Sequence, residues 1–218
     1  MYEIKLQLPF NGFHITGTMV LPVKAHSLVI FAHGWGNTSE SPHEQIIAKH
    51  LQSEGIGTLM FDLLDVHDKQ PDHLKDMSLL TEGLLNATQW INGHSQYQKL
   101  RIAYLGSGTG AAVAIQAANK LPSHLVKAII SVSGRLDLVR KELARVSCPT
   151  LLIVGELDFQ IVNINRHAIR FLKRQTQLAI IPGASHLFEE ARKQKEVALI
   201  ISSWLKKYLS DKEVKITI

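Results

Sequence analysis

"LRIAYLGSGTGAAVAIQAANKLP", residues 100–122, passes from a short apolar run through a glycine-rich turn straight into small and apolar residues at helical spacing. "LRIAYLG" is the length of a strand buried on both faces, and "TGAAVAIQAANKLP" carries the period of a helix. The same unit recurs along the chain. Further apolar runs stand at "SLVIFAH", "GTLMFDL", "KAIISVSG", "PTLLIVGE" and "LAIIPGA". Helical patterns lie between and after them, at "SPHEQIIAKHLQSEG", "LLTEGLLNATQWING", "LDLVRKELARV", "VNINRHAIRFLKRQ" and "EEARKQKEVALIISSWLKKYL". Strand and helix in turn predict a three-layer, doubly wound α/β fold with a mostly parallel sheet and right-handed crossovers.

The first residues follow a different pattern. "YEIKLQL" and "FHITGTMVL" alternate apolar and polar residues on either side of "PFNG", which predicts an N-terminal antiparallel hairpin. Residues 210–218, "SDKEVKITI", read as a short charged tail. No Pro/Gly/Ser-rich linker divides the chain, so residues 1–218 are expected to form one domain.

Composition excludes several classes. With 45% hydrophobic and 20% charged residues in 218, the chain can bury a sizeable core and is not disordered. The net charge of +5 is scattered rather than gathered in a stripe interleaved with aromatics, which argues against a nucleic-acid partner. The eleven histidines show no metal-ligand spacing such as HExxH, and the single cysteine, Cys148, reads as a core thiol. No signal-peptide pattern and no membrane-length apolar run is present, and the expected compartment is the cytoplasm, with no membrane partner.

In an α/β sheet of this kind ligands bind at the carboxyl ends of the strands, so the loops after the apolar runs are the candidate site. "FAHGWGN" ends a strand at His33 and Gly34. The backbone amide of Trp35 there is a candidate oxyanion donor, and a plain strand-to-loop turn is the alternative. "YLGSGTGAA" has the glycine pair, Gly106 and Gly110, that flanks a nucleophile elbow, with the amide of Thr109 as second oxyanion donor. Its central residue is Gly108, which has no side chain. A phosphate cradle is the weaker reading of this turn, because the lysine of a P-loop is missing. Asp158 ends one late strand and His186 the next, in the order elbow, acid, histidine. Taken singly, Asp158 reads as a helix cap and His186 as a loop residue. Arg135 and Asp137 either line the mouth of the site, where Arg135 would bind substrate, or pair with each other.

On these residues the chain resembles the α/β-hydrolase superfamily, and within it the lidless dienelactone hydrolase-like branch. The motifs that carry the resemblance are "HGWGNTSESP", "TLMFDLL", "GSGTGAA", "SVSGRLDL", "PTLLIVGELD" and "PGASHLFEE". It implies Asp158 as triad acid, His186 as triad base, Trp35 and Thr109 as oxyanion amides, and His33 and Gly34 beside the substrate. It implies no cofactor and no metal. The departure is Gly108, where the family has serine or cysteine. Ser107 is a poor substitute, because successive side chains diverge at an elbow tip and a nucleophile must lie within about 3 Å of its base.

Three accounts of the glycine are open: removal by engineering, drift to a non-catalytic role, or direct activation of water by Asp158 and His186. Two functions follow. One is a hydrolase of small soluble esters or lactones, inactive or very weak with Gly108. The other is a pseudo-hydrolase that binds a small ligand in the same pocket. Between "SVSGRLDL" and "CPTLLIVG" there is room for about one short helix, so no lid domain is expected. A homodimer is open as an assembly.

Overall fold

The computed structural model describes residues 1–10, 13–33, 41–62 and 76–210. The two alternating stretches form β1 (Tyr2–Phe10) and β2 (Phe13–Leu21), paired antiparallel from Tyr2↔Leu21 to Phe10↔Phe13. Asn11 and Gly12, the expected turn, lie outside the described residues. The six apolar runs become β3 (Ser27–Ala32), β4 (Gly57–Phe61), β5 (Arg101–Ser107), β6 (Val126–Val132), β7 (Thr150–Gly155) and β8 (Thr176–Ile181). All eight join one sheet in the order β1-β2-β4-β3-β5-β6-β7-β8. From β4 to β8 the pairing is parallel, and β2 meets β4 antiparallel.

Among the described residues five α-helices cover the two faces: α1 (Pro42–Ser53), α2 (Met77–Gly93), α3 (Thr109–Lys120), α4 (Phe159–Ala168) and α5 (Lys193–Leu209). Alternation along β5 shows how the layers divide. Ile102 and Tyr104 pack with α2 and α3, whereas Ala103 and Leu105 pack with α1 and α5. Burial on both sides explains why these strands are unbroken apolar runs instead of alternating ones. Polar groups are carried inside as well, among them the fully buried Tyr104 hydroxyl, 2.5 Å from Thr88 Oγ1. Burial pushes that phenol well above its ordinary pKa.

Two helical expectations are corrected. "LDLVRKELARV" is not one α-helix but two 3-10 turns, Leu136–Val139 and Leu143–Arg145. Leu136, Val139, Leu143 and Val146 are all buried, so the apolar period is satisfied, and a three-residue turn satisfies it as well as an α-turn does. The fourth helix begins at Phe159 rather than Val162, because the Asp158 side chain accepts a hydrogen bond from Ile161 N and caps it there. Between β6 and β7 the chain holds only those two short turns, with no inserted domain.

Candidate active site

Strands β5, β7 and β8 end on the same side of the sheet, since all run parallel. Each delivers one piece of the site in its following loop. β5 ends at Ser107 and α3 starts at Thr109, leaving Gly108 alone at the tip with φ 55° and ψ −120°. This backbone region is open to glycine and strained for other residues. Hydrogen bonds fix the tip: Gly108 N donates to Val132 O (3.0 Å), and Gly108 O accepts from Arg135 N (2.9 Å) and Ala111 N (3.3 Å). A Cβ built on Gly108 would meet nothing within 4 Å among the described residues, so among them the direction a nucleophile's side chain would take is open. A Cβ on Gly106 would instead overlap the Gly110 carbonyl, which is why the elbow needs a glycine there.

Asp158 follows β7 and His186 follows β8. Their side chains meet: His186 Nδ1 lies 2.5 Å from Asp158 Oδ2. Asp158 thus uses both carboxylate oxygens, Oδ1 capping α4 and Oδ2 on the imidazole. The His186 loop is tied back to the sheet, because Ser133 Oγ donates to His186 O (2.8 Å). Ser133 has φ 47° and Phe188 φ 55°, two non-glycine residues held in the left-handed region on either side of the site.

These pieces enclose a cavity of about 130 Å³ lined by Ser107, Gly108, Thr109, Ser133, His186 and His43, with apolar contacts from Val132, Leu187 and Phe188. Ser107 is buried, and its Oγ has no hydrogen-bond partner. Arg135 is not among the lining residues; it makes a bidentate pair with Asp137 at 2.9 and 2.8 Å, which holds the Asp137 carboxyl below its ordinary pKa. Gly34 and Trp35 lie outside the described residues. His33 is described: its Nδ1 stands 2.8 Å from Glu44 Oε2, both side chains buried, and its Nε2 has no hydrogen-bond partner among the described residues.

His43, Glu44 and Ser133 were not singled out in the sequence. His43 and Glu44 sit in the first turn of α1, where "SPHEQ" reads as an ordinary helix start, and only folding brings that turn beside the elbow. Ser133 carried a signal, since "SVSG" ends a strand on the site's side of the sheet.

Among the described residues no cluster of three or more His, Cys, Asp or Glu side chains is arranged to hold a metal ion. None of the helices described there is long and apolar enough to cross a membrane.

Comparison with known proteins follows the same lines. The alpha/beta hydrolase domain family matches residues 25–203. The crystal structure of a dienelactone hydrolase from Anabaena variabilis is 37% identical, covers 96% of this chain and 99% of its own, and superposes with a TM-score of 0.91. An esterase domain from a Rhodothermus marinus protein shares the fold at a TM-score of 0.75, with 16% identity over 96% of this chain and all of its own. A Mycobacterium tuberculosis protein, named provisionally as a phosphoribosyl transferase, is 35% identical over 201 residues, 92% of this chain. The chain spans only 45% of that relative's length.

Proposed function

The chain belongs to the alpha/beta hydrolase family, and on that premise we propose that its site is built to hydrolyse small soluble esters or lactones in the cytoplasm and lacks only the nucleophile's side chain at Gly108. The observation that carries this reading is the 2.5 Å contact between His186 and Asp158 beside an elbow tip whose side-chain direction is open.

The chemistry follows from those positions. Asp158 accepts from the Nδ1–H of His186, fixing the tautomer so that Nε2 is the basic atom. A hydroxyl at position 108 would attack the substrate carbonyl while Nε2 takes its proton. Nε2 then returns that proton to the leaving alkoxide. The amide of Thr109, at the start of α3, takes the developing oxyanion. With glycine at the tip no covalent intermediate forms, and in another serine hydrolase loss of the nucleophile costs about 10⁶ in turnover. The unaltered chain is therefore a very poor esterase.

The test is Gly108→Ser assayed with short-chain nitrophenyl esters and a small lactone. Activity rises by several orders of magnitude, and a further His186→Ala removes it. A folded Gly108→Ser protein with no turnover above the unaltered chain refutes the reading. The second reading, a pseudo-hydrolase that binds a small ligand, is favoured by Gly108 itself, whose geometry is kept without the group it serves. The phosphoribosyl transferase name belongs to a relative of which this chain spans less than half, and it is not carried over.

A further inference from the structure

A separate hollow of about 380 Å³ lies between α4 and the two 3-10 turns that follow β6. It shares no lining residue with the cavity at Gly108 and has nearly three times its volume, which brings it into the range of small-molecule sites. Leu136, Leu143 and Ala168 line it from buried positions, together with half-buried Ile164. Ile164 and Ala168 are four residues apart on α4, and so are Asn163 and His167. The helix therefore presents an apolar row and a polar row side by side.

The rim of the hollow is basic. Arg140 and His167 both line it and both pack on one ring: Arg140 Cζ lies 5.1 Å from the centroid of Phe171, and the His167 ring lies 5.2 Å from it. A guanidinium held over a ring face still has N–H donors for another acceptor. Asp137 is the carboxylate that would ordinarily take them. It stands three residues before Arg140, where a 3-10 turn brings side chains into line, and it too lines the hollow. Its two oxygens are instead held by Arg135, at 2.9 and 2.8 Å. Among the described residues neither Arg140 nor His167 makes a side-chain hydrogen bond or an ion pair. The surrounding chain adds to the positive field, since residues 135–145 and 159–174 hold eight Lys and Arg against two Asp and Glu.

We propose that this hollow binds a medium-chain carboxylate, with its head between Arg140 and His167 and its alkyl chain along Leu136, Leu143, Ile164 and Ala168. The site is distinct from the catalytic cavity, and the proposal does not depend on ester hydrolysis.

Calorimetric titration of the unaltered protein with octanoate, octanamide, octylamine and acetate, at fixed ionic strength, tests it. Saturable binding of octanoate with Kd on the order of 1 mM or tighter is expected. Octanamide, which has the same shape without the charge, and octylamine, which has the opposite charge, bind at least about tenfold more weakly, and acetate shows no saturation. Arg140→Gln and His167→Gln each weaken octanoate by about tenfold, the effect of one lost hydrogen bond to a charged group. Ile164→Asp, which sets a carboxylate where the alkyl chain lies, removes binding. Arg140 and His167 are exposed, so both of their variants are expected to fold, and far-UV circular dichroism checks that they do. His186→Ala leaves octanoate binding unchanged. No saturable octanoate binding, equal binding of octanamide, or an affinity that Arg140→Gln and His167→Gln both leave intact overturns the proposal. Loss of binding in His186→Ala overturns it too, by moving the acid to the catalytic cavity. The Gly108→Ser esterase assay succeeds or fails separately, so the two readings are told apart.

Discussion

Gly155, the last residue of β7, packs so closely against Ser185 that a Cβ there would overlap the Ser185 and Ala184 carbonyl oxygens. That approach sets the distance between the loop carrying Asp158 and the loop carrying His186. Gly155→Ala must push the second loop outward. Overpacking of this kind costs about 1–3 kcal/mol. Urea unfolding should show that loss, and in a Gly108→Ser background the acquired esterase activity should fall with it.

The tip geometry at Gly108 makes a second prediction about stability. A serine held at φ 55° carries backbone strain of about 1–3 kcal/mol that glycine does not. Gly108→Ser is expected to lower the urea midpoint without changing the slope of the transition, because the folded surface is unaltered. An unchanged midpoint would mean that the elbow relaxes around the new side chain.

Asp158 both caps α4 and holds His186, and the two roles separate by substitution. Asparagine caps as well as aspartate does, so Asp158→Asn should leave the melting temperature nearly unchanged. In the Gly108→Ser background it should lower kcat by about 10⁴, as loss of the orienting carboxylate does in a serine protease. Asp158→Ala should lose activity and also about 1 kcal/mol of stability.

Cys148 is buried, and burial pushes its thiol up to about 12 from an ordinary 9.0. The folded state therefore favours the neutral thiol. Its contribution to stability is complete below pH 9.0 and is lost as pH rises toward about 12. Ellman's reagent at pH 8 should find no thiol in the native protein and one after denaturation. Rapid labelling of the native protein would contradict the burial.

Much of this was legible in the sequence, for a physical reason. Strands buried on both faces read as apolar runs, and Gly108, Asp158 and His186 each stand in the few residues after such a run, where the sheet gathers its loops. The His33–Glu44 pair was not legible. Eleven positions separate them, and only the docking of α1 on the sheet makes them neighbours. The segment 136–146 misled because its apolar spacing suits both helix types, and packing between α3 and α4 selected the tighter one.

The order of strands has a consequence in time. The β1–β2 hairpin pairs residues close along the chain, and such contacts form early. The parallel strands pair at long range, Ile30 beside Tyr104 and Ile153 beside Ala179, and such contacts form late. As the chain is synthesised the elbow emerges first, Asp158 next and His186 last. Until β8 has docked there is an elbow with no imidazole above it. The chemistry is the last property the molecule acquires, so a chain halted before residue 186 is a sheet without a site.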